Sequence, residues 1–144
     1  MKKLSESIRE YQKQVEKGDI VIAYRSIMTF MSKLRSYLGK KYPFYSIGNL
    51  YMGYMDMTYL PIIPVDLKRE KLKIALVFLH KECRFEIWLS GANRGIQSKF
   101  VDKFTNEDLG NYTLSKVAPG IDSIIQWIVV DEPDFDNQHD LINI

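Results

Sequence analysis

Asp56 and Glu86 are the two residues whose type and spacing best fit chemistry in this sequence. Asp56 is the single charged residue of the run Leu50–Leu60, and Glu86 falls on the polar side of the alternating run Cys83–Ser90. If these runs are neighbouring strands, the two carboxylates can meet on one face of a sheet. Paired carboxylates bind a divalent metal ion, or they divide the roles of general acid and general base. The pair is therefore the candidate catalytic site.

The same two carboxylates also have a structural explanation. Trp88 stands two residues after Glu86, where a nuclease-like metal site has a lysine, and the sequence offers no third ligand. Asp56 can instead accept backbone hydrogen bonds, or it can pair across strands with Lys73 or Arg84. Both interpretations stay open at this point.

The segment Gly91–Gly95 is a candidate for ligand binding, because it precedes a predicted helix. Backbone N–H groups at a helix start can hold a phosphate or carboxylate, with Arg94 as the counter-charge and Asn93 beside it. The spacing matches neither the P-loop nor the dinucleotide fingerprint. The alternative is an ordinary strand-to-helix turn that Asn93 caps.

Cysteine and histidine content excludes several other classes of site. Cys83 is the single cysteine, so an intrachain disulfide, a four-cysteine zinc site and a Cys-x-x-Cys redox motif are impossible. His80 and His139 lie far apart in the sequence, and we expect no metal site and no cofactor. His80 and Cys83 flank one turn and can approach each other, but a cysteine there is more often a small apolar residue.

Aromatic residues crowd the stretch between the second predicted helix and the first predicted strand: Tyr42, Phe44, Tyr45, Tyr51, Tyr54 and Tyr59. The rings can lie in the core or at its edge. Alternatively, Tyr45 and the later Trp88 can form a homodimer interface. Rings beside Lys40 and Lys41 can also stack on bases while the lysines contact phosphates, and Tyr54 is a candidate ligand-binding residue. We do not expect nucleic acid as the partner.

Size and composition are those of one globular domain. The chain has 144 residues, of which 46% are hydrophobic and 26% charged, so residues 1–144 are expected to fold as a single unit. The net charge is +2, yet residues 117–144 contain no basic residue and six acids. Most of these acids lie in an acidic C-terminal segment that begins at about residue 132. This segment is either a solvated terminus or an ordered one.

We expect the C-terminal segment to be ordered, because it ends in apolar residues that a solvating tail does not need. The apolar residues of the range 134–144 should dock on the fold or on a second copy: Leu141, Ile142 and Ile144. Its acids should face basic side chains of the second helix: Lys33, Arg35, Lys40 or Lys41.

The sequence contains no signal for a membrane. The basic start Met1–Lys3 is followed by polar residues rather than an apolar core, which excludes a signal peptide, and no run of about 18 apolar residues exists. We expect a cytoplasmic protein with a reduced thiol.

Two helices open the chain. Apolar residues at steps of four, three and four predict a helix over Lys2–Lys17, which Gly18 ends. Asp19 is predicted to cap a second helix that runs to about Lys41 and stops before Pro43. Its apolar stripe is broad, so we expect Ile27 at its centre to be fully buried.

Three apolar runs predict an antiparallel meander: Leu50–Leu60, Leu72–His80 and Cys83–Ser90. Pro61 and Pro64 should end the first run, and Leu76 in the second should be fully buried.

Three further elements complete the expected fold. A helix should follow from Asn93 to Lys103 or Phe104, then a short strand over Tyr112–Val117, then a helix over Ile121–Val129. The resulting order is α-α-β-β-β-α-(β)-α. Because the strands cluster and helices lie at both ends, the fold class is α+β, with three to four antiparallel strands packed against helices.

Four stretches carry a family resemblance: Gly53–Tyr59, Phe85–Gly91, Gly120–Ile125 and Pro133–Asp136. Through these stretches the chain resembles a family of small, uncharacterised bacterial proteins of unknown function. The resemblance covers most of the length of the chain. The resemblance implies no activity, cofactor or site residue, because the family has none assigned. It also implies that such proteins continue past residue 144 with another helical segment.

Two functions from different classes therefore stay open. The first is a non-catalytic cytoplasmic interaction or binding module, dimeric, with a protein or an anionic small molecule as partner. The second is a small enzyme that uses Asp56, Glu86 and Arg94 around a cleft on the sheet face. We favour the first, because the aromatic crowding and the basic second helix are clear whereas a complete catalytic set is not.

Overall fold

In the described residues, two helices come first and pairs of strands then alternate with single helices. A computed structural model describes residues 3–91, 93–105, 113–114 and 123–142. Its helices are α1 (Leu4–Lys17), α2 (Asp19–Lys41), α3 (Val65–Arg69), α4 (Arg94–Phe104) and α5 (Gln138–Ile142), the last preceded by a 3-10 turn, Phe135–Asn137. Its strands are β1 (Ser46–Ile47), β2 (Met57–Ile63), β3 (Leu72–Leu79), β4 (Arg84–Gly91), β5 (Thr113–Leu114) and β6 (Ser123–Asp131). In these ranges no helix is long and apolar enough to cross a membrane.

The strands of the described residues form one six-stranded sheet in the spatial order β1-β2-β3-β4-β6-β5. All neighbouring strands are antiparallel. The α+β class and the antiparallel meander of β2, β3 and β4 are thus confirmed. The sheet has two strands more than the upper end of the predicted range, because β1 was not predicted and β6 was predicted as a helix.

Gly18 separates the first two helices. It adopts a left-handed conformation with φ 96°, which glycine reaches without a Cβ clash, and its N–H closes α1 on the carbonyl of Gln14. The predicted end of the first helix is confirmed. The prediction that Asp19 caps α2 is wrong: Gly18 holds the cap position, and Asp19 is the first helical residue, 3.8 Å from the Lys17 ammonium.

The strand predicted over Leu50–Leu60 corresponds to β2, which lies further along the chain than predicted. Pro61 lies within β2 instead of ending it. The Pro61 carbonyl accepts the N–H of Gly48, on the side of β1. Because the N and O atoms of one strand residue point to the same side, the missing N–H of Pro61 faces this edge and not β3. The proline therefore removes no hydrogen bond between β2 and β3.

The predicted helix over Ile121–Val129 is wrong, because its described part belongs to β6, which pairs with β4 and β5. Two register shifts against β4 interrupt the two-residue alternation, and the apolar spacing then imitates a helix. Side-chain type was the better guide, since β-branched residues favour strands: Ile124, Ile125, Ile128, Val129 and Val130. Thr113 and Leu114 confirm part of the short strand; residues 112, 115–117 and 119–122 lie outside the described residues.

Helices α2 to α5 pack on one face of the sheet, in two apolar clusters. The larger cluster joins α2 to the sheet and to α5 through Phe30, Met31, Leu34, Leu60, Phe78, Phe85 and Leu141. The smaller cluster lies under α4 and α3 and contains Leu72, Phe100 and Ile124. Ile27 and Leu76, which we predicted to be fully buried, are half-buried. Leu76 on β3 packs against the larger cluster and also lines a cleft.

The described part of the C-terminal segment docks on the larger cluster, as predicted. The Phe135 ring lies edge-on to Phe30 and Phe78, with centroid distances of 5.6 and 5.7 Å, and Leu141 is buried. The acids bind within their own segment: Asp134 accepts the N–H of Asp136, and Asp140 accepts the amide of Asn137. Arg35 donates instead to the carbonyl of Gly48. Residues 143–144 lie outside the described residues.

Candidate functional site

The apolar stripe of α1 is exposed. Its four residues are Leu4, Ile8, Tyr11 and Val15, with exposed fractions of 75%, 49%, 62% and 40%. The contacts of α1 are chiefly with α2, to which Gly18 joins it, and none of its residues is buried. The sequence predicted the stripe, but the structure places it on the surface instead of against the sheet.

A second exposed apolar surface lies in the aromatic stretch between α2 and β2. Phe44 and Tyr54 are 84% and 89% exposed, and Met52 and Met55 are also exposed. For these residues the interpretation as core is wrong. Their segment has little regular structure, and sequence composition alone cannot distinguish an aromatic residue of the core from one on the surface.

Tyr45 and Trp88, the predicted interface residues, lie in different places. Tyr45 stacks on Tyr42, with ring centroids 5.0 Å apart, at the mouth of the cleft. Trp88 lies opposite Ala75, on the sheet face away from α2, as its alternation with Phe85 predicted. However, Trp88 is half-buried, and its indole N–H donates to Glu86 Oε1 at 2.8 Å.

The cleft lies between α2 and the sheet and is almost entirely apolar. Its volume is ≈ 380 Å³. Its floor consists of sheet residues such as Ile74, Leu76 and Ile87, and one wall consists of Leu34 and Leu38 from α2. The described lining residues carry no charge. The cleft is on the sheet face opposite to that of Glu86 and Trp88, and it contains none of the predicted catalytic residues.

The structure does not bring Asp56 and Glu86 together. Asp56 precedes β2, where its Oδ1 accepts the N–H groups of Tyr54 and Met57 at 3.0 and 2.7 Å. These bonds, that from Tyr54 foremost, lower the pKa of Asp56. Glu86 lies on β4, on the far side of β3 from β2. The carboxylate of Asp56 thus accepts backbone hydrogen bonds, which is the structural alternative to a catalytic role given above.

Glu86 is a buried carboxylate with two side-chain donors. It is 3% exposed, and Arg84 Nε donates to its Oε2 at 2.6 Å while Trp88 binds Oε1. The hydrogen bond between Arg84 and Glu86 raises the pKa of Arg84. Both carboxylate oxygens are therefore occupied by protein donors. Among the described residues, no group of three or more His, Cys, Asp or Glu side chains could hold a metal ion.

Asn93 and Arg94 form the start of α4. Asn93 accepts the N–H of Ile96 at 2.9 Å and so caps the helix, as predicted. Arg94 donates to Gln97, and the buried Gln97 amide donates in turn to the carbonyl of Ser123 on β6. This chain of hydrogen bonds ties α4 to the sheet.

Sequence reasoning missed one polar pair, Thr58 and His80. Thr58 Oγ1 donates to the carbonyl of Met52 at 2.7 Å and lies 2.8 Å from His80 Nε2. Because the hydroxyl proton is already donated, Nε2 of His80 carries the proton that Oγ1 accepts. Burial lowers the pKa of His80, against the raising effect of Asp56. The pair links two strands at the β2–β3 border, and its spacing of 22 residues gives no local sequence signal.

Comparisons with known proteins identify a family for the chain but no activity. A family model described as a domain of unknown function, DUF7000, matches residues 4–144. No curated protein matches the chain, and no solved structure does.

Proposed function

This chain belongs to the DUF7000 family of domains of unknown function, and from its structure we propose that it is a non-catalytic interaction module that forms a homodimer through α1. The observation that carries the proposal is the exposed apolar stripe of α1. A 14-residue helix is close to the lower limit of stability in water on its own. A helix of this length with an uncovered apolar stripe gains stability from a partner.

The spacing of the stripe supports a second helix as that partner. Leu4, Ile8, Tyr11 and Val15 follow each other at steps of four, three and four. This is the narrow seam that two helices share in a coiled coil, whereas a helix that packs on a sheet has a broader apolar face.

The charges of α1 support a second copy of the same helix. The residues that flank the stripe are uncharged: Ser5, Ser7, Gln12 and Gln14. The charged residues, such as Glu6, Arg9 and Lys13, lie further from the seam. Two copies can therefore approach without placing like charges opposite each other, in either relative orientation.

The association should be weak. A stable specific interface buries at least about 1,000 Å², and two paired helices of 14 residues bury less than that. Ile22 on α2 is also exposed and extends the apolar surface beyond Gly18. We expect a dissociation constant on the order of 10 μM. Trp88 and Tyr45 are secondary candidates, because Trp88 is half-buried and its N–H is already bound.

Sedimentation equilibrium of the full chain tests the proposal. Ile8→Ser should leave a monomer at concentrations where the unchanged chain is a dimer. Ile128→Ser is the matched control, because Ile128 on β6 has a similar exposed fraction, 46% against 49%. A chain that stays monomeric at about 100 μM, or a dimer that both variants leave intact, would contradict the proposal.

A cytoplasmic location and a bacterial source belong to the same proposal. Cys83 is a free, exposed thiol, which is typical of a reducing compartment. Fractionation of cells that express the full-length protein would test the location.

A further inference from the structure

We propose that the cleft between α2 and the sheet binds a free long-chain carboxylate, with the alkyl chain inside the cleft and the carboxylate at Lys41. This inference is independent of self-association through α1, because α1 contributes no residue to the cleft.

The size and lining of the cleft fit a small apolar ligand. Its volume of ≈ 380 Å³ lies within the range of about 300–1,000 Å³ that small-molecule sites occupy. The polar groups of its described lining side chains are the hydroxyls of Tyr42 and Tyr45. An apolar chain is therefore compatible with the interior, whereas a charged group there would lose its hydration without a partner.

The exposure of the central strands indicates that the cleft needs an occupant. β3 and β4 lie in the middle of the sheet, and their residues Ile74, Leu76 and Ile87 face α2. Residues in such positions are usually fully buried, yet all three are half-buried because the cleft lies above them.

The cleft is elongated along α2, which favours a linear ligand. Lining residues recur at every fourth position along α2 and its C-terminal cap: Phe30, Leu34, Leu38 and Tyr42. From Phe30 to Tyr42 the helix advances about 18 Å. At the Phe30 end the lining residues Phe30, Phe85 and Leu141 are buried, whereas Tyr42 and Tyr45 at the other end are exposed. The cleft is thus closed at one end and open at the other.

Charge determines which end of the ligand lies at the opening. The Lys41 ammonium lies 5.6 Å from the ring centroid of Tyr42 and 5.5 Å from that of Tyr37, and Lys40 precedes it. The closed end lies beside the acidic segment that contains Asp131, Asp134 and Asp140. An anionic head group is therefore favoured at the opening and disfavoured at the closed end.

Lys41 is suited to bind a carboxylate. The unsatisfied carbonyls at the end of α2 oppose an anion, so lysine side chains must supply the positive charge there. The Lys41 ammonium is protonated at neutral pH, and hydrogen bonding to Tyr37 raises its pKa further. An ammonium and a carboxylate form a charge-assisted hydrogen bond.

Titration calorimetry with dodecanoate below its micelle concentration tests this inference on the full chain. We expect binding to the unchanged chain and about tenfold weaker binding to Lys41→Glu. Lys33→Glu, an exposed position on the same helix, should bind as the unchanged chain does. Leu76→Trp should fill the cleft and abolish binding, with a thermal melt to show that the variant is folded. Dodecyltrimethylammonium, with the same chain and the opposite charge, should bind more weakly than dodecanoate.

Four results would overturn the inference. The first is no heat with dodecanoate; the second is equal affinity of Lys41→Glu and the unchanged chain. The third is binding to vesicles of anionic phospholipid without binding of free dodecanoate, which would indicate a membrane surface. The fourth is dodecanoate binding that appears only in the Ile8→Ser monomer, which would indicate that a second copy occupies the cleft. Sedimentation of Ile8→Ser without ligand separates a failure here from a failure of the dimer proposal.

Discussion

The indole N–H of Trp88 donates a hydrogen bond to Glu86 Oε1 at 2.8 Å, on the sheet face that points away from α2. With Arg84 on Oε2, this bond compensates a carboxylate that is only 3% exposed. A buried charge that loses a partner is costly, since the remaining desolvation is no longer offset. The residue that we predicted as an interface aromatic thus also stabilises a buried acid.

Arg84→Ala should therefore destabilise the fold by about 1–3 kcal/mol, because Glu86 keeps Trp88 as its only described side-chain donor. The free energy of unfolding in urea measures the loss. Lys17→Ala is the control: the ion pair of Lys17 with Asp19 is 3.8 Å long and both side chains are exposed, so this change should have little effect. Equal losses in the two variants would show that burial of Glu86 does not matter.

Gly53→Ala should destabilise the fold, by about 1–3 kcal/mol or more. Gly53 has φ 74°, and a Cβ there would lie 1.9 Å from the carbonyl oxygen of Met57, so the backbone before β2 must move. Gly39→Ala in α2 is the opposite case, because a Cβ meets nothing within 4 Å, and we expect a gain of about 0.5–1 kcal/mol. Urea melts of both variants check the signs, and a neutral Gly53→Ala would mean that this turn is not closed as described.

Stability should fall as the pH is lowered through the titration range of His80. Burial lowers its folded pKa below the unfolded value of 6.5, so the unfolded chain binds the proton more readily. The stabilisation is complete above pH 6.5 and is lost as the pH falls through the folded pKa. Thermal melts between pH 7.5 and 5 should show a smaller decrease for His80→Gln than for the unchanged chain. An NMR titration that gives His80 a pKa above 6.5 would contradict this account.

Asp56 affects stability in a separate, more acidic range. Backbone hydrogen bonds lower its folded pKa below 3.8, so its contribution is complete above that value and is lost as the pH falls through the folded pKa. Asp56→Asn should flatten the pH dependence below pH 4, and it should also lower the folded pKa of His80, because the raising effect of Asp56 is lost. Thermal melts from pH 5 to 2.5 measure this difference, and an unchanged acid limb would contradict it.

Phe135→Ala should release the C-terminal segment. Phe135 is half-buried and its ring contacts Phe30, Phe78 and Phe85, so we expect a loss of about 2–4 kcal/mol. Amide exchange across residues 134–142 should become faster in the variant, whereas 1 M salt should change the exchange of the unchanged chain little, because apolar contacts hold the segment. Strong acceleration by salt would show that charge pairing holds it instead.

The sequence predicted those elements whose signals are local. The α1 stripe, the stop at Gly18, the β3–β4 hairpin and the Asn93 cap each depend on residues within one or two turns. The spacing of β6 resembled a helix because its alternation is broken by register shifts that only the partner strand β4 defines. Pro61 was read as a strand end for a similar reason, since its tolerance depends on which side of β2 is the edge.

The candidate sites were less predictable than the fold. That Asp56 and Glu86 are separated by β3, and that Thr58 meets His80, follow from strand order and not from any spacing in the chain. Exposure is also a tertiary property: the α1 stripe looks the same in sequence whether it is covered or bare. The structure places it on the surface, and this exposure is the basis of the proposed function.

Hydrogen exchange of the α1 amides at two protein concentrations, one below and one above the expected dissociation constant of about 10 μM, tests that function most directly. If α1 pairs with a second copy, the amides from Ile8 to Val15 should exchange more slowly at the higher concentration, while those of β3 exchange equally at both. The Ile8→Ser variant should lose this concentration dependence. Exchange of α1 that is the same at both concentrations, or protection that increases elsewhere in the chain instead, would contradict the proposed self-association.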